Sequence, residues 1–570
     1  MNTAPHTRTG RRRPSPATPR VRPDGDPHGA HALRVRDEHA LQIRGALGTI
    51  ALGEAESRRP ASRRLRTMLA ILGPGLIVMV ADNDAGAFST YTQAGQNYGT
   101  RLLWTLLLLI PILYVNQEMV LRLGAVTGVG HAKLIMARFG RFWGAFSVID
   151  LFMLNALTIV TEFIGIALAC RYLGLPKAPT IALAGVLVIG AASTGSFQRF
   201  ERLCLALVAG SLVLVPVYVL VHPPTAQMAQ GLFVPGLPGG HGLSTVMLLI
   251  IAIVGTTIAP WQLFFQQSYV IDKRITTRFI RYERADLVLG IALVVIGAAA
   301  MIGFSAAAFA GRAGFGHFTD AAGVAAGLAR FGSHAAGVLF SIGLIDASVI
   351  GAAAVGLATA YAAGDALGVD HSLHRSVRGA KGFYGCYAAL ISLAAALVLI
   401  PGVPLGTLTE GVQTLAGVLL PSATVFLLLL CNDREVLGPW ANSTATNVLT
   451  GAVVWVLVLL SVILTAGVLF PRIGWGAILT ILIGGAAVGC AGGLWLAGAA
   501  RRGRAQAAPE DGTRSRARLR AQRAYWRMPP LEELGAPVLS LQRRLGLATL
   551  RGYLLLAVAL VVVKLVTVSA

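Results

Sequence analysis

Apolar stretches recur along the whole chain, separated by short polar loops. A helix that crosses a bilayer needs roughly 20 consecutive, mostly apolar residues. Such stretches lie near 69–93, 102–123, 143–171, 179–195, 203–222, 243–271, 286–311, 335–363, 382–400, 411–431, 447–470 and 477–499. They make about 12 predicted spans, and the pattern is that of an all-α polytopic membrane protein. The mean hydropathy of +0.68 over 570 residues, with 13% charged residues, agrees with this class. Residues 1–66 are rich in Arg, Pro, Gly and His and read as a disordered basic leader. The transmembrane domain occupies 67–500 and a basic tail 501–551. The last segment, "GYLLLAVALVVVKLVTVSA" (552–570), is about long enough to cross but contains Lys564. A further span and a helix lying on the membrane surface both stay open for it.

The formal net charge of +22 would ordinarily suggest nucleic acid as a partner. Its distribution argues against that. Arginine concentrates in the leader, in the tail and in the loops after even-numbered spans: Lys133, Arg138 and Arg141; Arg199 and Arg202; Lys273, Arg274, Arg278, Arg281 and Arg284; Arg375, Arg378 and Lys381; Arg434. Loops after odd-numbered spans carry few cations. The positive-inside rule therefore predicts a protein of the plasma (inner) membrane with a cytoplasmic N-terminus and tail. The five cysteines, Cys170, Cys204, Cys386, Cys431 and Cys490, show no CxxC spacing and read as small buried residues. No triad, phosphate loop or hydrolase motif is present, so neither an enzyme nor a cofactor is expected.

Two spans are interrupted. "ADNDAGAFSTYTQAGQNYG" (81–99) places Asp82, Asp84 and Gly86 near mid-depth of span 1. Span 6 reads "LIIAIVGTTIAPWQLFFQQSYVI", in which Pro260 removes a helical hydrogen bond after Gly255, Thr256 and Thr257. These are the first helices of spans 1–5 and 6–10. Interruptions at matching places in two halves point to an inverted repeat with a site at the midplane. Unwound backbone at that depth exposes carbonyl oxygens, and a cation would occupy them. Ionisable residues within a span are costly and by default functional.

The same residues carry a family resemblance. "GPGLIVMVADNDAGAFSTYTQAGQNYG" resembles the first helix of the NRAMP divalent-metal transporters, without a gap, and puts Asp84 on the family's metal-binding aspartate. "RLGAVTG" (122–128), "TEFIGIALA" (161–169), "FQRFE" (197–201) and "NDREVLGPWAN" (432–442) follow in the family's order. The resemblance covers roughly 67–470. It implies a LeuT-like inverted repeat of five plus five spans, here with additional C-terminal spans.

Departures from the family motifs bear on the cargo. The family's Asp-Pro-Gly-Asn reads Asp84-Ala85-Gly86-Ala87, and its Met-Pro-His reads Ala259-Pro260-Trp261. The soft thioether is gone. The oxygen ligands that the resemblance implies are the Asp84 carboxylate, the Ala81 and Thr256 carbonyls, Gln262 and Gln413, with Asp82 an added carboxylate. Such a site suits a hard cation that keeps part of its water shell. Magnesium is the first expectation and manganese the second, each as transported substrate, as in the NRAMP-related magnesium branch. Ala87, Ala259 and Trp261 would shape the cavity.

The family's acid-and-histidine relay is also depleted. Glu162 is kept, whereas Ile159, Trp261 and Gln266 stand where the family has titratable groups. Facilitated rather than proton-coupled transport is expected, with Glu162 the one candidate coupling residue. The other reading of Glu162 is a structural acid paired with the Arg199/Arg202 region. Glu118, Asp150 and Asp365 are expected near span ends, and Asp346 deeper. Rival functions are a proton-coupled manganese or iron symporter, a LeuT-fold carrier of an organic solute, and a metal sensor that signals through its tails. No partner beyond the metal and the bilayer is implied, and a monomer suffices.

Overall fold

The computed structural model describes residues 42–51, 61–238, 243–402, 405–470, 473–505, 521–523, 526–535, 552 and 555. The segment 552–570, open between a further span and a membrane-surface helix, lies outside the described residues apart from 552 and 555. The leader departs from expectation. Gln42–Gly45 (β1) and Gly48–Ala51 (β2) pair antiparallel as a hairpin, with Ile43 opposite Ile50. Ile43 and Ile50 are buried. Two apolar residues at matching positions give this short ribbon the one-sided burial that a two-stranded sheet needs.

Span 1 is built from three helices. These are α1 (Ala61–Ile71), α2 (Pro74–Ala81) and α3 (Ala85–Tyr98). The sequence predicts the break at 82–84. It does not predict the second one, where α1 and α2 meet at 48°. Gly73 accounts for that bend: its φ is 153° and a Cβ there would strike the Glu201 carboxylate. Pro74 then opens α2 at a position that needs no N–H donor.

The following helices are α4 (Trp104–Thr127), α5 (His131–Phe139), α6 (Arg141–Leu173), α7 (Lys177–Ala192), α8 (Phe197–Gly210), α9 (Leu214–Val221) and α10 (Thr225–Phe233). Span 6 is α11 (Leu243–Thr257) and α12 (Pro260–Asp272). Then come α13 (Ile280–Phe309), α14 (Ala321–Phe331), α15 (His334–Leu367), α16 (Lys381–Val398), α17 (Leu405–Cys431), α18 (Arg434–Leu437), α19 (Thr444–Leu469) and α20 (Trp475–Ala505). Among the described residues 10 helices are long and apolar enough to cross, or 11 with the bent α1–α2 pair. The remaining predicted span is α7, whose 16 residues fall just short of that length.

The helices around the two breaks form the centre of the bundle. The α11–α12 span is the most enclosed, with α6, α17 and α15 also largely buried, whereas α19 and α20 stand at the periphery. Burial on all sides lets α11–α12 be apolar all round, and makes each polar residue on it informative. Two motifs distant in sequence close the α4 end. Arg122 donates to the Trp440 carbonyl and, at 2.6 Å, to Asn442 Oδ1, while Arg138 bonds Asp433 (2.6 Å) and Glu435 (2.8 Å). The described part of the basic tail rests on the same loop. Arg523 Nε donates to the Pro439 carbonyl, and Arg138 Nη1 to that of Gly535.

Candidate metal site

The break in span 1 takes the helical donor from the Ala81 carbonyl. Ala81 would accept from the Ala85 N–H in an unbroken helix. That N–H instead donates to Glu162 Oε2 at 3.1 Å. In span 6 the Thr256 carbonyl would accept from residue 260, which is proline and has no N–H. The two carbonyls named from the sequence thus lose their donors for two different reasons, one by capture and one by covalent structure.

Side chains converge on these breaks. Asp84 is the N-cap of α3: its Oδ1 accepts the Ala87 N–H at 2.9 Å, the ordinary cap of a helix N-terminus. Asp82 accepts from Gln262 Nε2, while its other oxygen is buried without a partner. Gln262 Oε1 accepts from Gln117 Nε2 of α4 at 2.9 Å. To ligate through oxygen, Gln262 must rotate its amide. That rotation would repel Asp82 in an empty site and is favoured with a cation between them. Gln413 of α17 packs directly on Gly86, where a Cβ would overlap its amide. The Thr256 hydroxyl is buried without a partner, and Tyr91 and Thr257 share a 2.6 Å hydrogen bond.

Glu162 belongs to this group. A Cβ on Gly351 of α15 would lie 2.8 Å from Glu162 Oε2 and 3.1 Å from Asp84 Cβ, so a glycine makes room for both acids. Pairing of Glu162 with Arg199 or Arg202 is therefore corrected. Arg202 Nε donates to the Ala46 carbonyl of the leader hairpin, and Glu162 faces the break in span 1. Asp82, Asp84 and Glu162 are all fully enclosed, and among the described residues none has a cationic partner.

Ala87, bonded to Asp84, and Ala259, the residue before Pro260, are buried small residues, and Trp261 packs against Phe265 with ring centroids 6.2 Å apart. Gln266 and Asn116 are buried with both amide atoms unpartnered. The sequence reading passed over Asn116 and Gln117, although "NQE" in the middle of an apolar run is itself a signal. It also passed over His131. That imidazole is T-stacked on Phe264 and bonded to Gln267, and burial pushes its pKa down to about 4. It stays neutral at neutral pH.

Other acids lie apart from the site. Glu118, expected to be solvated, is buried and pairs with Arg122 (3.2 Å) and Arg284 (2.6 Å). Asp365 pairs with His371 at 3.2 Å, and Asp150 stands 3.5 Å from Ser422 Oγ. Among the described residues no three His, Cys, Asp or Glu side chains form a metal cage. An ion here would be held by few carboxylates together with carbonyls, amides and water.

Two repeats of five spans, each opened by a broken helix, with the breaks meeting through Asp82 and Gln262, define a membrane protein of the LeuT-like fold. Comparison with known proteins narrows this. The family model described as "Natural resistance-associated macrophage protein-like" matches residues 75–467, and the chain belongs to that family. Curated relatives include the divalent metal cation transporter MntH of Deinococcus radiodurans, 29% identical over 72% of this chain and 92% of that protein. The MntH of Chromohalobacter salexigens is 31% identical over 45% of this chain and 61% of its own length. Among solved structures, a manganese transporter of Eremococcus coleocola superposes with a TM-score of 0.59 at 21% identity, covering 76% of this chain and 94% of that one. That likeness speaks for the fold.

Proposed function

We propose that this protein carries hard divalent cations across the inner membrane, magnesium first and manganese second, by alternating access without obligatory proton movement. One observation carries the reading. Two enclosed aspartates on a broken helix have no cation to balance them among the described residues, and carbonyl, amide and hydroxyl oxygens lie around the break, with no sulfur at Ala259. Magnesium resists dehydration and is usually held by one or two carboxylates plus waters. The small side chains at 87 and 259 leave room for those waters, while manganese is accepted by the same oxygens.

Facilitated transport is supported by what surrounds Asp84. Ile159 and Trp261 cannot titrate and Gln266 does not ionise, and His131, which packs on Phe264 further along α12, is held neutral. Asp82 and Glu162 are the carboxylates beside Asp84, and the bond of Glu162 to the Ala85 amide gives it a positioning role at the break. Relatives named as divalent metal cation transporters support the transport class.

The test is metal flux into proteoliposomes of the full chain, comparing magnesium, manganese and calcium while recording internal pH. Magnesium and manganese entry at unchanged internal pH is expected. Acidification on adding metal, abolished by Glu162→Gln, would establish the symporter instead.

A further inference from the structure

A cavity of about 340 Å3 lies on the far side of the span 1 break from the metal site, between α9, α13 and α15. Its walls are apolar: Val80, Leu214, Tyr218, Leu293, Ala300 and Ile350 contribute. Its rim carries Leu212, Val215 and Ile296, large apolar side chains that are more than half exposed. On a membrane-spanning surface such a rim opens towards lipid chains.

Four polar side chains line this cavity: Ser211 Oγ donates to the Val208 carbonyl at 2.8 Å and the Tyr218 hydroxyl to Met228 Sδ at 3.5 Å, while Asp346 and Asn83 each have an oxygen to spare. Asp346 of α15 has a buried Oδ2 without a partner, and no hydrogen bond or ion pair joins it to any described residue. Asn83 is only 7% exposed; its Nδ2 donates to the Val294 carbonyl at 3.2 Å and its Oδ1 is buried and unpartnered. The lining contains no Lys, Arg or His. The free polar atoms are therefore acceptors, one of them on a carboxylate, inside an apolar wall reached from the bilayer.

We infer that this cavity is a binding site for a hydrophobic primary amine, which docks its ammonium group on Asp346 and Asn83 and its apolar body against α9 and α13. The ammonium supplies the N–H donors and the positive charge that both oxygens lack, and a charge-assisted bond in an apolar setting is among the strong ones. A neutral alcohol of the same length gains the apolar contact and a single uncharged O–H bond, without the positive charge or the further donors. Asn83 lies between Asp82 and Asp84, so an occupant fixes the backbone of the break and slows metal transport.

The experiment uses the full-length protein and n-octylamine, with n-octanol as the uncharged control. Two readouts are taken: the melting temperature in detergent and manganese flux in proteoliposomes. Octylamine should raise the melting temperature and inhibit flux, and octanol should do both far more weakly at equal concentration. Asp346→Asn should raise the half-inhibitory concentration by about tenfold or more. Ala300→Trp, which fills the cavity without touching either polar group, should abolish both responses while flux in the absence of amine persists. Equal potency of octanol, or equal octylamine sensitivity of wild type and both variants, would overturn the site. The melting readout decides the matter even if the chain carries no manganese, which separates this inference from the transport reading.

Discussion

Two groups of buried carboxylates lie along span 1, and the structure treats them differently. Near the α1–α2 bend, Glu201 is bonded to Lys273 Nζ at 2.6 Å and to the Ala46 N–H of the leader hairpin at 2.5 Å. Lys273 also caps the Ile71 and Leu72 carbonyls, at 2.7 and 2.9 Å. Asp286 accepts the Gly73 and Gly75 N–H groups, at 3.2 and 2.8 Å. Glu283 beside them is the exception, with both oxygens unpartnered. Ten residues further along, Asp82, Asp84 and Glu162 receive two backbone N–H groups and one amide, and no cation. Desolvating a carboxylate is costly unless a counter-charge or a dense set of donors offsets it. The first group carries its own counter-charge and works as a structural clamp on the bend. The second has none among the described residues, and that is the place the proposed function gives to the transported cation.

The contrast is sharpest when one residue is removed from each group. Asp84→Asn should cut metal flux by at least the roughly 10–100-fold that even supporting groups around a metal command. Its melting temperature in metal-free buffer should match or exceed wild type, because an uncompensated buried charge has gone. Normal flux in this variant would end the assignment of Asp84 as the charged ligand. Lys273→Met should do the reverse. Leaving Glu201 buried without its partner costs about 3–5 kcal/mol, read as a lowered denaturation midpoint, and Glu201→Gln in the same chain should restore part of it. A Lys273→Met protein as stable as wild type would show that the clamp is not one.

A smaller effect is expected from refilling the metal site. Ala87→Asn with Ala259→Met narrows the cavity and adds a soft ligand. The ratio of magnesium to manganese flux should fall by about tenfold, or about 1.4 kcal/mol of selectivity. An unchanged ratio at normal protein levels would mean that these two positions do not set it.

The smallest effect separates a buried charge pair from a half-exposed one. Burial works against a charge on His371, yet the Asp365 carboxylate 3.2 Å from its Nε2 and the Val369 carbonyl raise its pKa above the ordinary value. A raised folded pKa gives stability that is full below the unfolded value of about 6.5 and fades as pH rises through the folded one. The melting temperature of wild type should exceed that of His371→Gln near pH 6, and the gap should close towards pH 8. A gap independent of pH would show that the pair does not act through charge.

The sequence by itself determined the class of this protein and two of its helix breaks, the one at 82–84 and the one before Pro260, but not the bend at Gly73. Apolar length is a local property, and so is the missing N–H of Pro260. The positions of Asp84, Gly86 and Pro260 could therefore be read directly, and the ordered motifs brought Glu162, Gln262 and Gln413 to the same site through resemblance. Tertiary structure decided the partners. That Glu162 turns to the Ala85 amide rather than to Arg202 depends on Gly351 of α15, nearly 200 residues away, leaving space for two acids. That Gln117 holds Gln262, that Lys273 clamps the bend, and that Ala46 in an expected disordered leader meets Glu201 are likewise contacts between distant segments. A carboxylate's meaning lies in which charges and donors surround it after folding. Side-chain spacing along one chain cannot encode that, because the neighbours come from other helices.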